Sequence, residues 1–143
     1  MNVKPEIISL TIPSELKELK RIERLSVKVA KKTHLHEDAR DNLSISVTEV
    51  VGNAIVHGNK KNPDKSVTVI FDINADRISV TVRDQGEGFD PDGLSDPLDP
   101  KNLLKESGRG IFIMRSLMDD VAFSFSGEGT TVTFIMNLRE SQT

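Results

Sequence analysis

The chain has 143 residues, 29% of them charged, with a formal net charge of -3 and no cysteine. That length suits one domain, residues 1–143, burying roughly two-thirds of its unfolded surface. The charge balance argues against a nucleic-acid or anionic-membrane surface, and the lack of cysteine excludes disulfides and thiolate metal sites.

Glu6 to Ile12 alternates as a strand, with Ile8, Leu10 and Ile12 on one side. Pro13-Ser14 fits a helix start, with Ser14 as N-cap and Lys17 near N3. Leu16, Leu19, Ile22, Leu25 and Val29 recur at helical spacing, so a helix is expected to about Lys32. Its lysines alternate with Glu and apolar residues and read as a solvated face. A second helix begins near His36-Glu37-Asp38, where acids suit the positive end of the helix dipole. Its inward stripe is Leu43, Val47, Val50 and Ala54, and it ends by Gly58-Asn59. Asn62-Pro63-Asp64 is a turn. Val67 to Ile73 and Ile78 to Val82 form a hairpin across Asn74-Ala75-Asp76.

From Gly86 to Ser107 no period is visible, and Pro91, Pro97 and Pro100 interrupt the segment. Connections beyond about 15 residues are unusual in compact domains, so this stretch reads as a functional lid over about 86–107. A third helix is expected from about Gly110 to Asp119, followed by strands Val121 to Phe125 and Thr130 to Leu138. That order implies an α+β two-layer sandwich, with helices on one face of a mixed, mostly antiparallel sheet. No secretory leader pattern opens the sequence and no apolar run approaches the roughly 20 residues of a membrane span, so a soluble cytoplasmic protein is expected.

Three motifs carry chemistry. In E-V-V-G-N-A-I-V-H-G-N, Glu49, Asn53 and His57 are four apart and stack along one side of the second helix. Gly52 and Asn53 both disfavour a helix interior, and Gly52 gives a backbone that a ligand can approach closely. The Asn53 amide oxygen suits a hard divalent cation, and the Glu49 carboxylate can take a proton from a hydroxyl. His57 is a ligand or a helix-end cap. In D-Q-G-E-G-F, the period of two points Asp84 inward with Ile78, Val80 and Val82. An inward carboxylate needs donors, which the amino group of a purine would supply. A calcium loop is excluded because glycines or Leu94 fall at ligand positions. In S-G-R-G-I-F-I-M, Gly108-Arg109-Gly110 opens a helix whose free amides attract phosphate. Neither a Walker A loop nor a dinucleotide fingerprint is present, since Ile113 stands where a third glycine belongs.

These motifs resemble the boxes of the GHKL ATPase superfamily, which shares the Bergerat fold, and within it the bacterial anti-sigma-factor serine kinases. E-V-V-G-N-A-I-V-H-G-N resembles the N box and D-Q-G-E-G-F-D-P the G1 box. S-G-R-G-I-F-I-M-R-S-L-M-D-D-V resembles the G2 box and G-E-G-T-T-V-T-F the last one, so the likeness runs from about Pro5 to Leu138. The resemblance implies an ATP- and Mg²⁺-dependent kinase with Glu49 as general base and Asn53 as the metal-binding residue. It implies that Asp84 accepts from adenine, with Gly86 and Gly88 shaping the pocket and Thr130 supporting the contact. His57, Lys105, Ser107, Gly108, Arg109 and Gly110 would complete the nucleotide site, the last three along the phosphates. It further implies transfer to a serine of an anti-anti-sigma partner, sequestration of a sigma factor, and a homodimer. The alternative is a nucleotide-dependent partner-switching module, or a weak ATPase, that phosphorylates nothing. A histidine kinase is disfavoured: His36-Glu37-Asp38-Ala39-Arg40 resembles a phosphoacceptor box only faintly, and no Pro-Leu follows.

Overall fold

The computed structural model describes residues 3–86, 117–126 and 128–138. Five strands form one sheet: β1 (Glu6–Pro13), β2 (Ser66–Ile73), β3 (Arg77–Arg83), β4 (Asp120–Ser126) and β5 (Gly129–Asn137). Their order across the sheet is β1-β2-β3-β5-β4. Each described ladder is antiparallel. The sheet is therefore antiparallel throughout its described part, where a mixed, mostly antiparallel one was expected.

Alternation selects the buried face. In β2, Val67, Val69, Phe71 and Ile73 are buried, and in β3 so are Ile78, Val80 and Val82. The register brings them side by side, with Phe71 opposite both Ile8 and Val80, and Val80 opposite Phe134. Burying each such side chain contributes on the order of 1.5–3 kcal/mol relative to exposing it. Among the described residues two helices complete the core, α1 (Leu19–Ala30) through Ile22, Val29 and Ala30, and α2 (Glu37–Asn53) through Leu43, Val47, Val50 and Val51. The opposite sheet face is rich in Thr and Ser, and hydroxyls meet across strands at Thr11–Thr68 (3.1 Å) and Thr81–Thr133 (3.3 Å).

Local chemistry explains most boundaries. The Asn74 side chain accepts from the amides of Asp76 (2.8 Å) and Arg77 (3.0 Å), which closes the β2–β3 hairpin. Thr33 Oγ1 donates to Ala30 O at 2.7 Å and accepts from Leu35 N at 3.3 Å, ending α1 two residues before the expected Lys32. The start of α1 differs from expectation. Ser14 makes no cap; a single 3₁₀ turn, Leu16–Glu18, precedes the α-helix. Its hydroxyl is already committed, donating to Lys65 O at 2.7 Å and accepting from Asn59 Nδ2 at 2.7 Å. Of the expected third helix, only Leu117 to Asp119 fall among the described residues. Asp119 already joins the sheet, its amide donating to Ile135 O at 2.9 Å.

The second helix ends unusually. Beyond Asn53 the turn widens into a π-helical segment, Ala54–Gly58, closed by Asn59 N donating to Ala54 O at 2.8 Å. Lys60 and Lys61 follow in the left-handed region, with φ of 53° and 59°. Such widened turns recur at functional sites. Earlier in the helix, Gly52 faces no crowding: an added Cβ would sit 3.9 Å from Leu19 Cδ1, an ordinary contact. The approach expected at Gly52 is that of a ligand, and no described residue crowds the space it would use. Gly52→Ala is expected to stabilise the fold by about 0.5–1 kcal/mol through helix propensity, read as a higher urea midpoint at unchanged m-value.

Candidate nucleotide site

β3 delivers Asp84 to the helix side of the sheet, because the period of two that buries Ile78, Val80 and Val82 continues one step past Arg83. Asp84 is half-buried. Its Oδ1 accepts from Gly86 N and from Thr130 N, both at 3.0 Å, and its own amide donates to Thr130 O at 3.0 Å. Thr130 therefore acts here through its backbone, as the second residue of β5. Oδ2 lies against Gly58, and among the described residues no donor reaches it. One carboxylate oxygen is saturated and the other is left to accept.

Three glycines make that position possible. A Cβ at Gly58 would run into the Asp84 carboxylate, and would lie 3.1 Å from Asp84 Cβ. A Cβ at Gly86 would collide with the Gly58 carbonyl and sit 3.2 Å from Gly58 Cα. A Cβ at Gly129 would strike the Asp84 carbonyl, and its φ of +142° is strained for any other residue. The end of α2's π-turn, the segment after β3 and the start of β5 meet around one side chain.

Glu49 and Asn53 lie one turn apart on α2, Glu49 exposed and Asn53 half-buried. Among the described residues Asn53 Nδ2 is buried and makes no hydrogen bond. A buried amide without a partner is costly, and marks a place where a ligand is expected. His57 falls inside the π-turn, whose i→i+5 bonding carries it out of the four-residue alignment with Glu49 and Asn53. It is exposed, and among the described residues it makes no capping hydrogen bond. Gly86 is buried in the glycine cluster. Gly88, Lys105, Ser107, Gly108, Arg109 and Gly110 lie outside the described residues. Among the described residues no group of three or more His, Asp or Glu side chains could hold a metal, and no helix is long and apolar enough to cross a membrane.

Sequence reasoning missed Gly58, Asn59, Gln85 and Gly129. Gly58-Asn59 reads as a helix stop and Gly129 as a hairpin turn, which conceals their second role. Asn59 is 1% exposed, and its side chain bridges three segments. Nδ2 donates to Ser14 Oγ (2.7 Å) and Ser66 O (2.9 Å), while Oδ1 accepts from Gln85 N (2.7 Å). Gln85 Oε1 in turn accepts from Ser66 N at 2.6 Å.

Comparison with known proteins identifies the fold and the family. The family model described as "Histidine kinase-like ATPase domain" matches residues 12–136. A curated relative, the serine-protein kinase RsbW of Staphylococcus epidermidis, is 35% identical over 114 residues, covering 75% of this chain and 70% of its own length. The protein of the same name from Listeria innocua is 29% identical, over 94% of this chain and 89% of that protein. Among solved structures, the RsbU and RsbW domains of a Mycobacterium tuberculosis protein superpose with a TM-score of 0.63 at 14% identity. That match covers 93% of this chain and 32% of the mycobacterial chain. The histidine kinase domain of a blue-light activated kinase from Erythrobacter litoralis gives 0.58 at 20% identity, over 92% of this chain and 64% of that one. These two likenesses speak for the fold. Taken with the family match and the staphylococcal relative, they make the chain a member of the histidine kinase-like ATPase family, in its branch of RsbW-type serine-protein kinases.

Proposed function

We propose that this chain binds ATP with Mg²⁺ beside α2 and transfers the γ-phosphoryl group to a serine of an anti-anti-sigma partner, and that it holds a sigma factor when that partner is absent or phosphorylated. The observation that carries the reading is the half-engaged Asp84 carboxylate: Oδ1 is fixed by two backbone amides and Oδ2 is open beside Gly58. An exocyclic amino group of adenine donates to Oδ2, which a 6-oxo purine cannot do.

Asn53 suits the metal. Its amide oxygen is a hard ligand of the kind Mg²⁺ takes together with substrate phosphates and water, while the buried Nδ2, without a partner among the described residues, is a donor suited to a phosphate oxygen. Bound there, the cation would neutralise phosphate charge. Glu49, one helical turn before Asn53, accepts the proton of the serine hydroxyl. As the serine oxygen bonds to the γ-phosphorus, the bond from that phosphorus to the β–γ bridging oxygen breaks and ADP leaves. Ser107, Gly108, Arg109, Gly110 and Lys105 take the phosphate side, His57 flanks the site, and Gly88 completes the adenine pocket with Gly86. The partner-switching role also carries the expectation of a homodimer in the cytoplasm.

Radiolabelled ATP, offered with serine-bearing candidate partners, tests the reading directly. Tight ATP binding without any transfer would favour a switching module over a kinase. Asp84→Ala is expected to weaken ATP binding at least tenfold, about 1.5–3 kcal/mol for a hydrogen bond to a charged group, by calorimetric titration. Glu49→Gln is expected to leave ATP affinity unchanged and to slow transfer by about 10²–10⁴-fold. Equal loss of binding in both variants would overturn this division of roles. Gly58→Ala is expected to displace the Asp84 carboxylate, costing about 1–3 kcal/mol of stability by overpacking. Its ATP affinity is expected to fall as far as that of Asp84→Ala.

A further inference from the structure

Asn59 is the most thoroughly hydrogen-bonded polar side chain near Asp84, yet nothing in the reaction uses it. We infer that Asn59, acting through Gln85, is a positioning residue for the Asp84 carboxylate, and that it sets how strongly the protein prefers adenine over a purine lacking the 6-amino group. The inference rests on the reading that Asp84 takes the adenine amino group.

Peptide groups are planar, so an aspartate is aimed by the two peptide planes that flank it and by its side-chain torsions. One flanking plane is held where Asp84 N donates to Thr130 O at 3.0 Å. The other is the Asp84–Gln85 peptide, whose N–H donates to Asn59 Oδ1 at 2.7 Å. With both planes fixed, the amides of Gly86 and Thr130 reach Oδ1 and leave Oδ2 beside Gly58. Loss of the Asn59 bond frees the Asp84–Gln85 peptide to rotate and carries Gly86 N away from Oδ1.

The side chain at 59 has a demanding task. It must accept once from Gln85 and donate twice, to Ser14 Oγ at 2.7 Å and to Ser66 O at 2.9 Å. A primary amide has that set of donors and acceptors on a short stem, whereas aspartate would face Ser66 O with a second acceptor. Both partners of Nδ2 belong to the ends of sheet strands, Ser14 just after β1 and Ser66 at the start of β2. Ser14 is itself fixed, through Lys65 O, at 2.7 Å from Oγ. Gln85 is held a second time, its Oε1 accepting from Ser66 N at 2.6 Å and Ser66 Oγ at 3.2 Å. Asn59 is 1% exposed, its bond to Ser14 is buried, and those to Ser66 O and Gln85 N are part-buried, so water competes weakly for the amide. Aim passes from the sheet edge through one buried amide to the carboxylate.

The test compares ATP with purine riboside triphosphate, which has hydrogen in place of the amino group, binding to the full chain by calorimetry. Asn59→Ala is expected to weaken ATP about tenfold and to change the deaminated nucleotide by less than about twofold. In the Asp84→Ala background it is expected to change neither. Equal weakening of both nucleotides by Asn59→Ala would mean a merely structural role and would overturn the inference. If Asp84→Ala abolishes the preference and Asn59→Ala retains it, the inference alone fails. If Asp84→Ala itself retains the preference, the adenine reading fails and takes the inference with it. Should Asn59→Ala not fold, Gln85→Ala, at an exposed position, serves instead. It removes the Ser66 clamp and is expected to lower the ATP preference about threefold or more, as loss of one net hydrogen bond would; an unchanged preference would sink the idea.

Discussion

The approach of three main-chain segments to the Asp84 carboxylate is the constraint around which the site is organised. A carboxylate turned toward a packed layer is tolerated only where donors meet it, and here two of them are backbone amides that cannot swing away. Those amides reach it because residues 58, 86 and 129 carry no side chain to keep the segments apart. The result is a group whose position is fixed before any ligand arrives. Preorganisation of this kind lowers the cost of binding, since little ordering of the carboxylate remains to be done by whatever docks on it.

The helix contributes differently. α2 buries Leu43, Val47, Val50 and Val51 against the core, so its register is set by packing rather than by the site. Glu49 and Asn53 ride on that register, one turn apart. Asn53 carries a cost to the fold: its amide nitrogen is buried without a partner among the described residues. An alanine there would suit the fold better. Rigid anchoring of the stripe and an unsatisfied amide on its flank are the two halves of one arrangement.

Much of this was legible in the residues themselves. The alternation in Ile78–Val82 fixed the face of Asp84, and the turn chemistry of Asn74 and Asn62 placed both connections, because these rest on local rules. The spacing of Leu43, Val47 and Val50 likewise gave α2 and its buried side. Ser14 failed as a cap for a non-local reason: its hydroxyl is claimed by Lys65 and Asn59, far away in sequence. Gly58, Gly129 and Asn59 were hidden by plausible local roles as a helix stop and a turn. The closeness that makes glycine necessary is a property of three segments at once, which no single stretch of sequence displays. Gly52 has room beside it among the described residues, so its backbone stands open to a ligand.

The π-turn carries a consequence for how this sequence can change over time. Its i→i+5 bonding accommodates one residue more than an ordinary helix would between Ala54 and Asn59. Removing any one residue from that stretch would let the helix run on in regular form, with better backbone bonding. Asn59 would then stand four residues beyond Ala54 and still donate to its carbonyl, so Gly58 and Asn59 would keep roughly their places while the residues between them and Ala54 change the way they face. The stretch is thus a place where the chain can shorten by one residue at the expense of re-facing residues 55–57, with the contacts of Gly58 and Asn59 left where they are.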